Sequence, residues 1–458
     1  MLDWNQTDRW LMGSASVESS IGSHVAELCD RIGVRWAGTT AEQLAIEYVA
    51  NQFQEASLRE TVIEPFDLQS WECNQASLAI GENQRLEVRP CMFCPSVNVS
   101  GELIDVGFGM PHDLDQIPKE LIKGKIALID AGHEPFSEPT TFPQRLRRLA
   151  DAGVVAAMTP STAGGRRTAD FTVTDWRDAD PYQVPLPVVQ TSREVGARLR
   201  HHMSDPRVVT LQVEARRIQG TSSNVIGNLI GSEWPDESLV LSAHHDTTTD
   251  SFGANDNAAG VAVMLETARM LSQLQQEVGI RPGRTIRCIS FGAEEQVLQG
   301  SSSYVATHHG PEPLPRLMIN LDELATGTMK GLVLQFPELR QLVQSQLNTM
   351  NEGLACHVLS QLDVSGDMFP FSRRGIPSAI LWRWRFVGRH PDVAFGHSDA
   401  DTPDKLRFRE LKEYAGNLAR LLLRLSHVPP EEWPENCLDP DEIEMRIGAE
   451  RGTVFRTM

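Results

Sequence analysis

The most strongly patterned stretch of the chain is Leu239–Ala243, an unbroken apolar run that ends in His244, His245 and Asp246. A short run of this kind predicts a strand buried on both faces of a sheet, so the polar groups behind it stand at a strand's carboxyl end. A loop of Thr, Asp, Ser and Gly separates it from Ala258–Leu271, where Val261, Leu265, Ala268 and Leu271 recur at helical spacing. Further strands are predicted at Thr285–Phe291, Leu317–Leu321 and Gly375–Trp382. A closing helix runs from about Glu410 to Leu425, with Leu411, Ala415, Leu418 and Leu422 on one side. From Asn224 onward strands and helices alternate, the pattern of an α/β domain.

Upstream, residues 1–72 read as mostly helical. Thr39–Glu42 is a capping-box pattern, followed by Leu44, Ala45, Tyr48, Val49 and Phe53 on one helical face. Thr61–Phe66 reads as a strand that Pro65 confines to an edge or an end. Residues 73–217 change to short strands and turns, with β segments at Gly101–Gly107, Gly124–Asp130 and Gly153–Met158 and a helix over Arg145–Ala152. A second capping box, Thr191–Glu194, opens a helix there. The expected organisation is therefore 1–72, an insert over 73–217, a main α/β unit over 218–427, and a tail over 428–458.

Composition narrows the function classes. The 458 residues are 41% hydrophobic, enough for substantial cores, and carry a net charge of −19 from 42 basic and 61 acidic side chains. That balance argues against a nucleic-acid or anionic-membrane surface. Seven cysteines spread thinly make no disulfide framework, and Cys91–Cys94 is a CxxC pair with no second pair to complete a zinc site. With no leader pattern and no run approaching about 18 apolar residues, a soluble cytoplasmic protein is expected.

The candidate chemistry lies behind the strands of the second half. Each ends in polar groups a core would not choose: His244 and Asp246, then Glu294–Glu295, then Asp322, and finally the segment Gly396–Asp404 that holds His397. Ligands of α/β sheets bind outside the carboxyl ends of the strands, so these groups are expected to converge. The spacing of two puts His244 and Asp246 on one face, where Asp246 can accept a hydrogen bond from the ring nitrogen that His244 does not use for metal. Asp256, before the helix, reads on its own as an N-cap. His245 points to the opposite strand face and is a packing residue, and His308 and His309 are expected to be solvated at a helix end.

The ordered series His244, Asp246, Asp256, Glu294–Glu295, Asp322, His397 resembles the di-zinc exopeptidases of metallopeptidase family twenty-eight. The likeness spans about 224–425 and includes Gly-Ala-Asn-Asp-Asn-Ala-Ala-Gly, Phe-Gly-Ala-Glu-Glu, Asn-Leu-Asp and Asp-Thr-Pro-Asp-Lys. It implies a three-layer α/β/α zinc-exopeptidase domain with a mixed sheet. It also implies one zinc on His244, Asp256 and Asp322, and another on Asp256, Glu295 and His397, with Asp256 bridging; cobalt or manganese also suits such ligands. By the same resemblance Glu294 is the general base acting on a water held between the ions, Asp246 orients His244, the Asp256–Asn257 bond is cis, and Asp401 and Asp404 support the His397 loop. Residues 73–217 resemble a β-rich protease-associated domain, whose overhang of the cleft implies short substrates.

The implied reaction is removal of N-terminal residues from a peptide substrate, with no nucleic-acid or membrane partner and a homo-oligomer left open. A dipeptidase or carboxypeptidase on the same scaffold is the second reading, and a non-hydrolytic binding protein a third that the full set of acids and histidines disfavours. Several members of the resembled family place a tyrosine just before the last histidine to steady an oxyanion. Here that position is Gly396 and none of the four tyrosines fits by sequence, so the resemblance implies that Arg383, Arg385, Arg389 or the zinc takes that role. Leu381, Arg383 and Arg385 alternate with Trp382, Trp384 and Phe386 and read first as a half-buried strand, with Arg383 or Arg385 as a candidate grip for a substrate carboxylate the sharper alternative.

Overall fold

The computed structural model describes residues 2–81, 84–132, 140–201, 208–324, 331–359, 363–381, 395–434 and 438–449. Arg383, Arg385 and Arg389 lie outside them. Among the described residues fourteen strands form one continuous sheet. In chain order they are β1 (Arg59–Ile80), β2 (Gln84–Glu87), β3 (Arg89–Pro90), β4 (Val97–Asp105), β5 (Ile126–Leu128), β6 (Ala156–Pro160), β7 (Val188–Thr191), β8 (Val208–Leu229), β9 (Trp234–His244), β10 (Arg284–Phe291), β11 (Leu317–Asn320), β12 (Gly331–Leu334), β13 (Ala355–Val358) and β14 (Ser378–Leu381).

The apolar run Leu239–Ala243 forms the core of β9, a central strand. It pairs in parallel with β10 on one side and β11 on the other. β14 continues in parallel beyond β11, while β12 and β8 run antiparallel to β14 and β10, so the sheet is mixed as expected. Side chains alternate between its faces, as the period of two requires. Leu239, Leu241, Ile286, Cys288, Leu317 and Ile319 pack against helices Ala259–Gln273 and Phe408–Ser426. Val240, Ile289, Phe291 and Met318 pack against Tyr304, Met368 and Phe371 of helices Gln299–His308 and Met368–Arg373 on the opposite face. The result is three layers, α/β/α, and the continuous apolar run is explained by helices covering both sides.

The insert has its own core, built on parallel β4, β5, β6 and β7. It is joined to the rest by a ribbon in which β1 and β8 pair antiparallel from Arg59–Asn228 to Ile80–Val209. The strand expected at Thr61–Phe66 is thus only the first part of a 22-residue strand. Both expected boundaries, at 72/73 and 217/218, fall inside continuous strands, marked only by a register shift between Cys73 and Gln75. Pro65 is tolerated because, among the described residues, β8 is the only strand paired with that part of β1.

Several local expectations are corrected. Thr39 caps helix Thr40–Glu55 through the Glu42 amide, but the Glu42 side chain reaches Gly38 N at 2.6 Å and the Ser222 hydroxyl instead of closing a capping box. In the helix after β7 the capping hydroxyl is that of Ser192, one residue past Thr191, and Glu194 turns away to the amides of Gly165 and Arg166. His308 and His309 are not solvated: His308 lies between Glu64 at 2.7 Å and Glu312 at 2.6 Å and stacks on Tyr304, while His309 is buried. The tail contains the helix Pro440–Ala449, whose Ile443 is buried with Phe336 and Phe369.

Candidate metal centre

β9 lies between β10 and β11, and the chain visits β10 before crossing to β11, so the strand order reverses at the end of β9. Loops diverge at such a point and leave a crevice. His244, the last residue of β9, pairs with Phe291. Glu294 and Glu295 follow within one turn of β10, and Asp322 stands two residues beyond the end of β11. Topology alone therefore gathers residues nearly eighty positions apart in the sequence.

The side chains form two groups that share one member. His244, Asp256 and Asp322 make the first and Asp256, Glu295 and His397 the second, with all ligand atoms of each group within 4.8 Å of one another. His244 Nε2 is 3.1 Å from Asp256 Oδ1 and 3.5 Å from Asp322 Oδ1. His397 Nε2 is 3.1 Å from Asp256 Oδ2 and 3.2 Å from Glu295 Oε2. The two oxygens of Asp256 thus face opposite histidines, as a bridging carboxylate must. Glu294 Oε2 is 4.0 Å from His244 Nε2, and its side chain keeps 10% exposure, which leaves it reachable by water.

Backbone geometry fixes these positions. Asp256 is no N-cap: it sits in the turn Ala254–Ala258 at φ −121°, ψ 83°, and the Asp256–Asn257 bond is cis. Capping falls to Asn257, whose Oδ1 accepts Gly260 N at 3.1 Å while its amide donates to Leu321 O at 2.7 Å. Asp401 accepts the amides of Asn255 at 2.9 Å and Asp256 at 3.0 Å, so it supports the bridging residue rather than the His397 loop. Asp404 is an exposed turn residue held to Thr402 and Lys405. Asp246 Oδ1 lies 3.4 Å from His244 Nδ1, where it can orient the ring. His245 packs as expected, buried beside the Ser290 hydroxyl at 2.9 Å.

Electrostatics identifies what the cluster lacks. Burial holds the Glu294 and Glu295 carboxyls well above the usual carboxylate range, against the pull of His244 on the one and His397 on the other. Burial also opposes charge on both histidines, yet the surrounding acids raise them well above ordinary imidazole. Asp256 resists its own burial and stays far below the usual range through hydrogen bonds from His244 and His397. A divalent cation bound here would reverse the directions of the two glutamates and the two histidines and deepen that of Asp256. The donor set is imidazole nitrogen and carboxylate oxygen alone, which suits zinc, and Glu295 Oε1 is buried with no hydrogen-bond partner. The residues fit a metal.

All seven sequence-selected residues converge. Others carried no signal in the sequence. Asp367, fully buried, lies among these acids, and burial pushes its carboxyl up to about 7. Arg35, also fully buried, donates to the carbonyls of His245, Leu28, Gly33, Phe252 and Gly253 and so ties down the loop between His244 and Asp256. All four tyrosines are described and engaged elsewhere: Tyr48 with His24, Tyr182 with Phe93, Tyr304 with Arg287, and Tyr414 in the main core.

Comparisons with known proteins agree with this picture. The chain is 28% identical over 381 residues to aminopeptidase YwaD of Bacillus subtilis, covering 79% of this chain and 74% of that protein. It is 24% identical to carboxypeptidase Q of Xenopus laevis, covering 82% and 80%. Among solved structures the aminopeptidase from Aneurinibacillus sp. strain AM-1 superposes with a TM-score of 0.70 at 23% identity, over 94% of this chain and 98% of that one. A peptidase M28 precursor from Shewanella amazonensis reaches 0.77 at 21% identity, over 95% and 99%. These two share the fold. The profile described as Peptidase family M28 matches residues 224–422, the segment that holds both triads, and over that segment the chain is similar to that family.

Proposed function

We propose that the chain is a zinc-dependent exopeptidase that removes N-terminal residues from peptides. The observation that carries this reading is the pair of triads joined through Asp256, with Glu294 at the edge of the same crevice. His244, Asp256 and Asp322 would hold one zinc, and Asp256, Glu295 and His397 the other. When bound, the ions polarise the scissile carbonyl and lower the pKa of the attacking water. Glu294 would take the proton of that water and return it to the leaving amine. Asp246 fixes His244. The unit formed by 1–72 and 218–427 performs this chemistry, and the insert at 73–217 borders the crevice.

A carboxypeptidase or dipeptidase is the second reading, favoured by the relatives named carboxypeptidase Q. The two differ in which end of the substrate is recognised. The test is metal content per chain together with hydrolysis of free-amine, N-acetylated and C-amidated peptides, for wild type and Glu294→Gln. Two metals per chain, cleavage that requires the free amine, and a loss of about 10²–10⁴-fold in the still-metallated variant are expected. Cleavage that instead requires the free carboxylate would favour the second reading. Two metals with equal, negligible hydrolysis by both proteins would overturn both.

A further inference from the structure

His397 is the most exposed member of the two triads, with 34% of its side chain accessible. What holds its ring comes from the insert. Asp170 O lies 3.2 Å from His397 Nδ1, and Asp170 N donates to His397 O at 2.9 Å. A carbonyl can only accept, so Nδ1 carries the proton and Nε2 is left with its lone pair toward Asp256 and Glu295.

Asp170 is itself fixed from both sides. Its buried carboxylate accepts Thr249 N at 2.8 Å and Thr249 Oγ1 at 2.7 Å, both from the loop between His244 and Asp256. Its other oxygen accepts Arg89 Nη1 at 2.8 Å, and Arg89 also pairs with Asp250 of the same loop. Six residues further on, Trp176 packs edge-to-face on Phe369, with ring centroids 5.1 Å apart. The stretch 170–176 of the insert thus docks at two points around the crevice.

We infer that Asp170 is a positioning residue for His397, so that the Asp256–Glu295–His397 metal position is completed by the insert while the His244–Asp256–Asp322 position is not. This rests on the two-metal reading above. The consequence is unequal affinity for the two ions under any change that loosens the insert. Partners that orient a ligating histidine typically change metal affinity about 10–100-fold when removed.

The test is zinc titration of the full-length metal-free chain against a chromogenic chelator, with cobalt absorption spectra of the second equivalent. Asp170→Ala keeps the carbonyl that meets His397 and removes the carboxylate that pins it to Thr249 and Arg89. In this variant the second equivalent should bind about tenfold more weakly with an altered cobalt spectrum, the first remaining as in wild type. Should Asp170→Ala fail to fold, Thr249→Val removes one of the carboxylate's three partners and should weaken the second equivalent by about two- to tenfold. In a His397→Ala background, where the ligand is already gone, Asp170→Ala should change metal binding no further. A folded Asp170→Ala with an unchanged second equivalent, or one that weakens both equivalents alike, overturns the inference. A wild-type chain that binds only one zinc overturns the two-metal reading itself and the inference with it.

Discussion

The carboxylate of Asp246 accepts the backbone amides of Glu294 at 3.1 Å and Glu295 at 3.2 Å, one on each oxygen, while the first oxygen also faces His244 Nδ1. One buried side chain therefore holds the turn that aims two glutamates in different directions and stands where it can orient His244. Asp246→Ala should weaken zinc at the His244 position by about 10–100-fold and lower kcat as well, since Glu294 loses its anchor. Chelator competition and steady-state kinetics measure the two effects. A variant with lower kcat and intact zinc affinity would limit Asp246 to holding the glutamate turn.

Removing the metal should destabilise the whole chain. Five carboxylates, Asp246, Asp256, Glu294, Glu295 and Asp322, surround two imidazoles in a largely buried space. A ligand that binds only the native state adds about 2.7 kcal/mol at 100 times its Kd. Urea unfolding with chelator and then with added zinc should show a midpoint that rises with zinc concentration. An identical midpoint in both would mean that the cluster binds no zinc.

Arg35 makes a separate prediction about the scaffold. Its guanidinium meets carbonyls rather than a carboxylate, and three of those come from 245–253. Truncation to Ala strands them without solvent, so a loss of about 3 kcal/mol or more in unfolding free energy is expected. Arg35→Lys, with a single ammonium, should recover only part of it. Stability of Arg35→Ala within about 0.5 kcal/mol of wild type, the range of an ordinary surface change, would show that the loop holds itself.

The pH dependence of stability has a distinct contributor in Glu42. Burial pushes its carboxyl up to about 8 from the ordinary 4.5, so the folded chain keeps a proton there that the unfolded chain releases. Stability from this group is complete below about pH 4.5 and is lost as pH rises through about 8. Glu42→Gln cannot ionise. In the metal-free protein, the variant should therefore gain on wild type between about pH 5 and pH 8, as read by urea unfolding at both ends. A difference independent of pH would refute the assignment.

Much of the site was legible in the chain because its ligands follow patterned strands. Leu239–Ala243 had to be a doubly covered strand, its end carried His244, and the same logic located Glu294–Glu295 and Asp322. These are local facts, set by periodicity and by where apolar runs stop. Other features depended on distant partners. Glu42 was drawn from a capping box to Gly38 and Ser222, and Asp401 from the His397 loop to the amides of Asn255 and Asp256. Arg35 has no sequence signature because its partners are backbone carbonyls, which every residue carries, and Asp170 has none because His397, Thr249 and Arg89 are distant in sequence and only the folded chain brings them within reach. The sequence by itself determined which side chains are the candidates for the chemistry and the order of the elements that present them. Tertiary structure alone decided what holds those side chains still, since burial and hydrogen-bond partners are properties of the assembled layers.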